Sequence, residues 1–241
     1  MTKYIIAFLL ALVLLPFELL AQEPREDGWQ HNVMTIQELL DMYPTHKVSP
    51  SAVVPFNSSD LYNPYDWKNQ FDNIIVINKS NSGERRQTLW FFKSGGRLVM
   101  TARVSTGRER WEAGKTSPEQ RKPERGYFSS TNVGYFSPYR TVRLHKSKLW
   151  DADMPYSVFF DGGIATHQVP PEAIRQIGSR ASGGCVRLLE RDAAYIYDQV
   201  NNSGIGSIPR FTTAGRPILD SKGQQLRKRG YRTLIIVQDF R

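Results

Sequence analysis

From Asn73 onward the chain is written in short apolar runs separated by glycine- and asparagine-rich breaks: Ile74-Ile75-Val76-Ile77, a turn at Asn81-Ser82-Gly83, Thr88 to Phe92, a turn at Ser94-Gly95-Gly96, then Leu98 to Val104. Short β-branched and aromatic runs between such breaks read as strands joined in hairpins. A second hairpin is expected where Tyr156 to Phe160 passes through Asp161-Gly162-Gly163 into Ile164-Ala165-Thr166-His167. Residues 107–126, charged and broken by Gly and Pro, read as a long loop. After Cys185 the spacing changes: Leu189, Ala193, Ile196, Tyr197 and Val200 recur at helical intervals, with Glu190 and Asp192 in the first turn and Gly204 past the end. The tail from Ser207 is polar and basic, with one strand candidate at Leu234-Ile235-Ile236-Val237.

Before Asn73 the pattern is thinner. Thr35-Ile36-Gln37-Glu38 is a capping-box pattern opening a short helix with Leu39 and Leu40, stopped at Pro44. Residues 22–70 hold too few periodic apolar positions for an independent domain and are expected to pack against the main one. Lys3, the apolar run from Tyr4 to Phe17, and Leu19-Leu20-Ala21 before a polar stretch have the layout of a secretory signal peptide, residues 1–21. The run is short for a membrane span. The expectation is an exported protein of the periplasm or cell wall, not held in the membrane after cleavage.

Charge and cysteine usage sharpen this. The net charge is +9, and loss of Lys3 and Glu18 with the leader leaves it at +9. Such a charge suits an anionic wall polymer or membrane surface, or serves solubility alone. A nucleic-acid partner is not expected behind an export signal, and no aromatic-and-basic motif of an RNA-binding sheet is present. Cys185 is the single cysteine, so no internal disulfide is possible, and a lone thiol in an oxidising compartment calls for a chemical use unless it merely packs.

A thiol becomes a nucleophile when a base converts it to thiolate. Of four histidines, His31 and His46 lie in the N-terminal extension, and His145, among Arg143, Lys146 and Lys148, reads as solvated surface. His167 ends a strand beside a Gly-Gly turn, where scaffolds present functional side chains. The loop toward the cysteine closes on Ser182-Gly183-Gly184-Cys185-Val186-Arg187. Its glycines permit close approach of a ligand and leave N–H groups able to hold an oxyanion, or else make an ordinary turn. One cysteine and four scattered histidines give no metal-ligand spacing, and no P-loop or dinucleotide fingerprint occurs, so no cofactor is expected.

His167, fourteen residues, then Ser182-Gly183-Gly184-Cys185-Val186-Arg187 resembles the signature of the L,D-transpeptidase (YkuD) family, and the blocks Ile77-Asn78-Lys79, Leu89 to Lys93, Val104 to Gly107, Gly126-Tyr127-Phe128 and Met154 to Phe160 resemble family blocks in family order. The resemblance spans roughly residues 73–200. It implies a mainly β fold with few helices, a sandwich or partly closed barrel with one helix after the cysteine. A catalytic domain at 73–205 is expected, with a basic C-terminal extension at 206–241.

The implied activity is acyl transfer on peptidoglycan tetrapeptide stems: Cys185 as nucleophile, His167 as base, backbone at Gly183 and Gly184 for the oxyanion, and Ser182 as motif support. Arg187 is a candidate for a substrate carboxylate or for bracing the loop, and Tyr156 for the groove wall or the core. The partners implied are a stem donor and an amine acceptor, the protein acting as a monomer. Hydrolysis of the same thioester would make an L,D-carboxypeptidase, and a wall-binding pseudoenzyme is the non-catalytic alternative. Two positions depart from the pattern: Gly183 replaces the family's second histidine and Gln168 its usual glycine. If the donors of the loop carry the rate, Gly183→His is expected to change it by no more than about tenfold; if the substitution has instead cost the catalytic geometry, the wild type is expected to be inert and Gly183→His to gain about a hundredfold or more.

Overall fold

The computed structural model describes residues 65–113, 126–148 and 150–240. The leader, the capping-box segment, His31 and His46 lie outside the described residues.

One helical turn, α1 (Trp67–Gln70), precedes strands β1 (Asn73–Asn78), β2 (Thr88–Lys93), β3 (Arg97–Arg103), β4 (Thr106–Gly107) and β5 (Trp111–Ala113). They are followed by β6 (Gly126–Phe128), β7 (Gly134–Phe136), β8 (Arg140–Ser147), β9 (Ala152–Asp161) and β10 (Ile164–Gln168). Then come β11 (Arg180–Ser182), β12 (Val186–Leu188), helix α2 (Glu190–Ser203), β13 (Ile205–Pro209), β14 (Arg227–Tyr231) and β15 (Thr233–Gln238). The chain is mainly β with few helices, as the sequence led one to expect. No described helix is long and apolar enough to cross a membrane.

Two sheets form the body. The larger has the order β3-β2-β1-β15-β7 and the smaller β12-β10-β9-β8. β1 and β15 are parallel neighbours and every residue of both is buried. Their unbroken apolar runs are what a strand covered on both faces requires. Alternation then divides them: Ile75, Ile77, Ile235 and Val237 face one apolar cluster, and Ile74, Val76, Leu234 and Ile236 another. The first cluster is the filling between the sheets, taking Val158, Phe160, Val186 and Leu188 from the small sheet and Ala193, Ile196 and Val200 from α2. Ile196 and Val200, fully buried, each contribute roughly 1.5–3 kcal/mol by leaving water.

The outer cluster places Trp67 and Phe71 on the far face of the large sheet with Ile208. Trp67 is fully buried, so the stretch just before Asn73 is part of the packed body. The segment 206–241, expected as an extension, sends β15 into the interior of the large sheet, between β1 and β7. Residues 107–126 likewise carry short strands at both ends of the expected loop, β5 pairing with β6. At the end of α2 the Asn73 amide donates to the Gln199 carbonyl and to Ser203 Oγ, which ties the helix to β1.

His145 departs from the sequence reading. It is buried, level with Met154 across the β8–β9 ladder and edge-on to Phe159 at 5.1 Å. Burial, then the Arg140 cation, lowers its pKa to about 4. The unfolded chain binds this proton below about 6.5 and the folded chain does not, so the stability present above 6.5 is lost as pH falls toward 4. His145→Gln is expected to shrink the loss of unfolding free energy between pH 7 and pH 5 by about 2 kcal/mol, read from urea titrations at both pH values. An unchanged pH dependence would show that His145 keeps its solution pKa.

Candidate active site

The catalytic candidates stand on the outer face of the small sheet. β10 and β12 are parallel, with Thr166 opposite Val186 and His167 opposite Arg187. Thr166 and Val186 point toward the inter-sheet core, so His167 and Arg187 point away from it. Cys185, one residue before the β12 ladder, packs on this outer side against Met154, Phe159 and Ala165. Chain positions 167 and 185 thus share one face of neighbouring strands.

His167 is buried, and its Nδ1 lies 2.6 Å from the Gln168 carbonyl. A carbonyl only accepts, so Nδ1 carries the hydrogen and Nε2 keeps its lone pair. Burial, then the Arg187 cation, lowers the His167 pKa to about 3, His145 adding a little while the Gln168 bond opposes them. The ring is therefore neutral over the working range, the state a base needs. Burial pushes the Cys185 thiol above its usual pKa, against the pull of the Ala165 N–H and the Arg187 cation. The thiol donates to the Gly163 carbonyl, 3.7 Å away, rather than to His167.

The loop before the cysteine is built by its small residues. Ser182, fully buried, donates through Oγ to the Cys185 carbonyl and accepts from the Gly184 N–H at 3.0 Å. This corrects one expectation: the Gly184 N–H is committed within the loop and is not a free oxyanion donor. Gly184 sits at φ +131, and a Cβ there would fall 2.9 Å from the Ser130 carbonyl. Both facts demand glycine.

The Gly184 carbonyl accepts from Thr131 Oγ1 at 2.6 Å. Thr131 belongs to a buried charged network that the sequence did not reveal. Lys79 Nζ donates to Glu109 at 2.8 Å and to the Thr131 carbonyl at 2.7 Å, and Glu109 also accepts from Ser130 and from the Thr131 N–H. No local motif announces it, because its hydrogen-bonded partners lie 21 to 53 residues apart.

Gly183 faces Trp150. A Cβ on Gly183 would fall 2.5 Å from Cε2 and 2.8 Å from Nε1 of the indole. Arg108 lies over the same indole, its Cζ 5.5 Å from the ring centre, and donates through Nη1 to the Ala181 carbonyl. The space that a side chain at 183 would take is thus occupied by Trp150, from the β8–β9 turn.

The remaining candidates divide. Arg187 stays on the site face, and its Nη1 lies 3.5 Å from the Ala181 carbonyl, the loop-bracing arrangement. Tyr156, at φ +57, goes the other way: it packs on the inter-sheet side, edge-on to Tyr197 of α2 at 6.0 Å, with Arg143 over its ring. A groove wall beside Cys185 is not where it stands. Among the described residues no three His, Cys, Asp or Glu side chains gather as a metal site.

The family model of the YkuD L,D-transpeptidase catalytic domain matches residues 72–224. The chain belongs to this family. Among solved structures, an L,D-transpeptidase fragment from Xylanimonas cellulosilytica is 21% identical, with TM-score 0.45, covering 70% of this chain and 61% of that one. An L,D-transpeptidase from Mycobacterium smegmatis is 16% identical, with TM-score 0.43, covering 70% and 59%. The chain thus spans about three fifths of these relatives. A search of curated proteins finds no match. The YkuD match runs through β13 and beyond residue 205, which agrees with the packing of the C-terminal segment into the body.

Proposed function

We propose that this YkuD domain is a cysteine-dependent L,D-transpeptidase of peptidoglycan tetrapeptide stems, working in the periplasm or cell wall. The observation that carries the reading is the shared outer face of β10 and β12, with a neutral His167 whose Nδ1–H is fixed by the Gln168 carbonyl beside the chain's only thiol. In the first half-reaction the thiol proton passes from Cys185 Sγ to His167 Nε2 as Sγ attacks the carbonyl of the stem's third residue. With the Gly184 N–H fixed on Ser182, this reading assigns the developing oxyanion to the N–H groups of Gly183 and Cys185. Collapse breaks the peptide bond, and the His167 proton leaves with the D-Ala amine. In the second half an acceptor amine attacks the thioester carbonyl and gives its proton to His167; the C–S bond breaks, and His167 returns the proton to Sγ, restoring the thiol.

To reach this geometry the thiol exchanges its Gly163 partner for Nε2. A catalytic hydrogen bond that forms only with substrate bound is common in such sites. Arg187 holds the loop and lends its cation to the thiolate.

Incubation with purified tetrapeptide sacculi, followed by mass analysis of muropeptides, tests the reading. New crosslinks are expected. Tripeptides alone would mean carboxypeptidase action, and an unchanged profile from folded protein would mean a wall-binding role without turnover.

A pH profile follows from the neutral histidine. Between pH 7 and pH 5, D-Ala release in the donor half-reaction is expected to stay within about twofold. A base with the ordinary pKa of 6.5 would lose roughly twentyfold over that span. An acid limb centred near 6.5 would contradict the burial of His167.

A further inference from the structure

A dense run of positive charge lies in the C-terminal segment, outside the candidate site. Residues 205–231 hold Arg210, Arg216, Lys222, Arg227, Lys228 and Arg229 against a single acid, Asp220, a net +5 of the chain's +9. All six cations are exposed, and none forms an ion pair among the described residues. Asp220 is spent on a turn, its Oδ1 accepting from the N–H groups of Lys222 and Gln224 at 2.8 Å each. Two large apolar side chains are also left open here, Leu219 at 52% and Ile205 at 51% exposure.

The segment is a firm platform rather than a loose tail. β13 and β14 pair over five residues from Ile205 opposite Tyr231 to Pro209 opposite Arg227, and Ile208 anchors the ribbon in the outer cluster with Trp67 and Phe71. Arg227 is held by Ser207, through Nε to Oγ at 2.9 Å and Nη2 to the carbonyl at 2.7 Å. Uncompensated cations beside exposed leucine and isoleucine are the composition of a surface that meets anionic lipid headgroups and dips apolar side chains among them. A purely polar anionic polymer gives Leu219 nothing to bury against.

We propose that the β13–β14 ribbon and its 210–226 loop form a docking surface for an anionic phospholipid membrane. The ribbon lies on the outer face of the large sheet and Cys185 on the outer face of the small one. Docking therefore leaves the thiol turned away from the lipid, which under the proposed function is toward the wall.

The test uses the full chain in flotation with phosphatidylcholine vesicles, with or without about a third phosphatidylglycerol. Binding to the anionic vesicles alone, weakened by salt, is expected. Replacing Lys222, Arg227 and Arg229 together by Ala should weaken it on the order of a hundredfold, at about one kcal/mol per cation. Leu219→Ser should weaken it about tenfold. Alkylation of Cys185 and the circular dichroism spectrum should match wild type in both variants, separating lost docking from lost fold or site. Equal binding to neutral vesicles, no binding to anionic ones, or a triple variant that floats like wild type would overturn the proposal. So would loss by the triple variant of binding to lipid-free sacculi while vesicle binding persists, since that assigns the ribbon to a wall polymer.

Discussion

Cys185→Ala and His167→Ala are each expected to lower D-Ala release from a tetrapeptide by about ten-thousandfold or more while leaving the protein folded. A nucleophile and its base act as a unit, so removing either forfeits nearly the whole covalent route. The folds should survive for different reasons. Cys185 is only partly buried at the edge of a small cluster, so Ala leaves little void. His167 is buried, but its bond to the Gln168 carbonyl is replaceable by solvent at a sheet face. Steady-state rates and melting curves measured together decide this: more than about one per cent of wild-type activity in either folded variant would remove that residue from the chemistry.

The second large effect is a coupling between Gly183 and Trp150. From the sequence, restoring the family histidine at 183 is either nearly neutral, within about tenfold in rate, or a gain of about a hundredfold or more in an inert wild type. The structure points to a third outcome, because the Cβ alone would collide with the indole, 2.5 Å from its Cε2. Trp150 would have to leave its place, losing its stacking on Arg108, and Arg108 also bonds the Ala181 carbonyl at the start of the motif loop. Overpacking of this kind costs about 1–3 kcal/mol, and displacement of the loop by a fraction of an ångström degrades the oxyanion donors.

Gly183→His is accordingly expected to lose about a hundredfold or more in D-Ala release. In a Trp150→Ala background the same substitution should cost less than about tenfold. A double-mutant cycle over the four proteins measures the coupling. Equal losses with and without Trp150 would show that the indole does not hold the loop.

The elements visible in the sequence were those written by local rules. The β1–β2–β3 and β9–β10 hairpins follow from apolar runs and Gly/Asn turns, and α2 from the 3.6-residue recurrence of Ala193, Ile196 and Val200. What stayed hidden depends on long-range partners. β15 reads as an isolated strand in a basic tail, yet pairs with β1 at a separation of 160 residues, Asn73 opposite Thr233.

His145 sits between charged neighbours and looks solvated, while the β8–β9 register turns it onto Phe159. Tyr156 adopts a positive φ that no residue-type rule foretells for tyrosine, and with it faces Tyr197. For the candidate site, the motif residues were readable as a unit, since Ser182, Gly184 and Cys185 interact within a few positions of each other. Thr131, Glu109 and Lys79 brace that unit, and Trp150 covers it, but all four come from other elements. Trp150 did carry a signal in principle, because a glycine replacing a large motif residue invites a search for the side chain that fills the space.

In the proposed reaction Cys185 carries the acyl group. Acid-quenched intact-protein mass spectrometry of the chain mixed with a tetrapeptide, without acceptor amine, reads this directly. One adduct equal to the stem minus D-Ala is expected on wild type, mapped to the Cys185 peptide and absent from Cys185→Ala. An adduct of the same mass on the Cys185→Ala protein, or D-Ala release with the thiol quantitatively free, would place the acyl group on another atom.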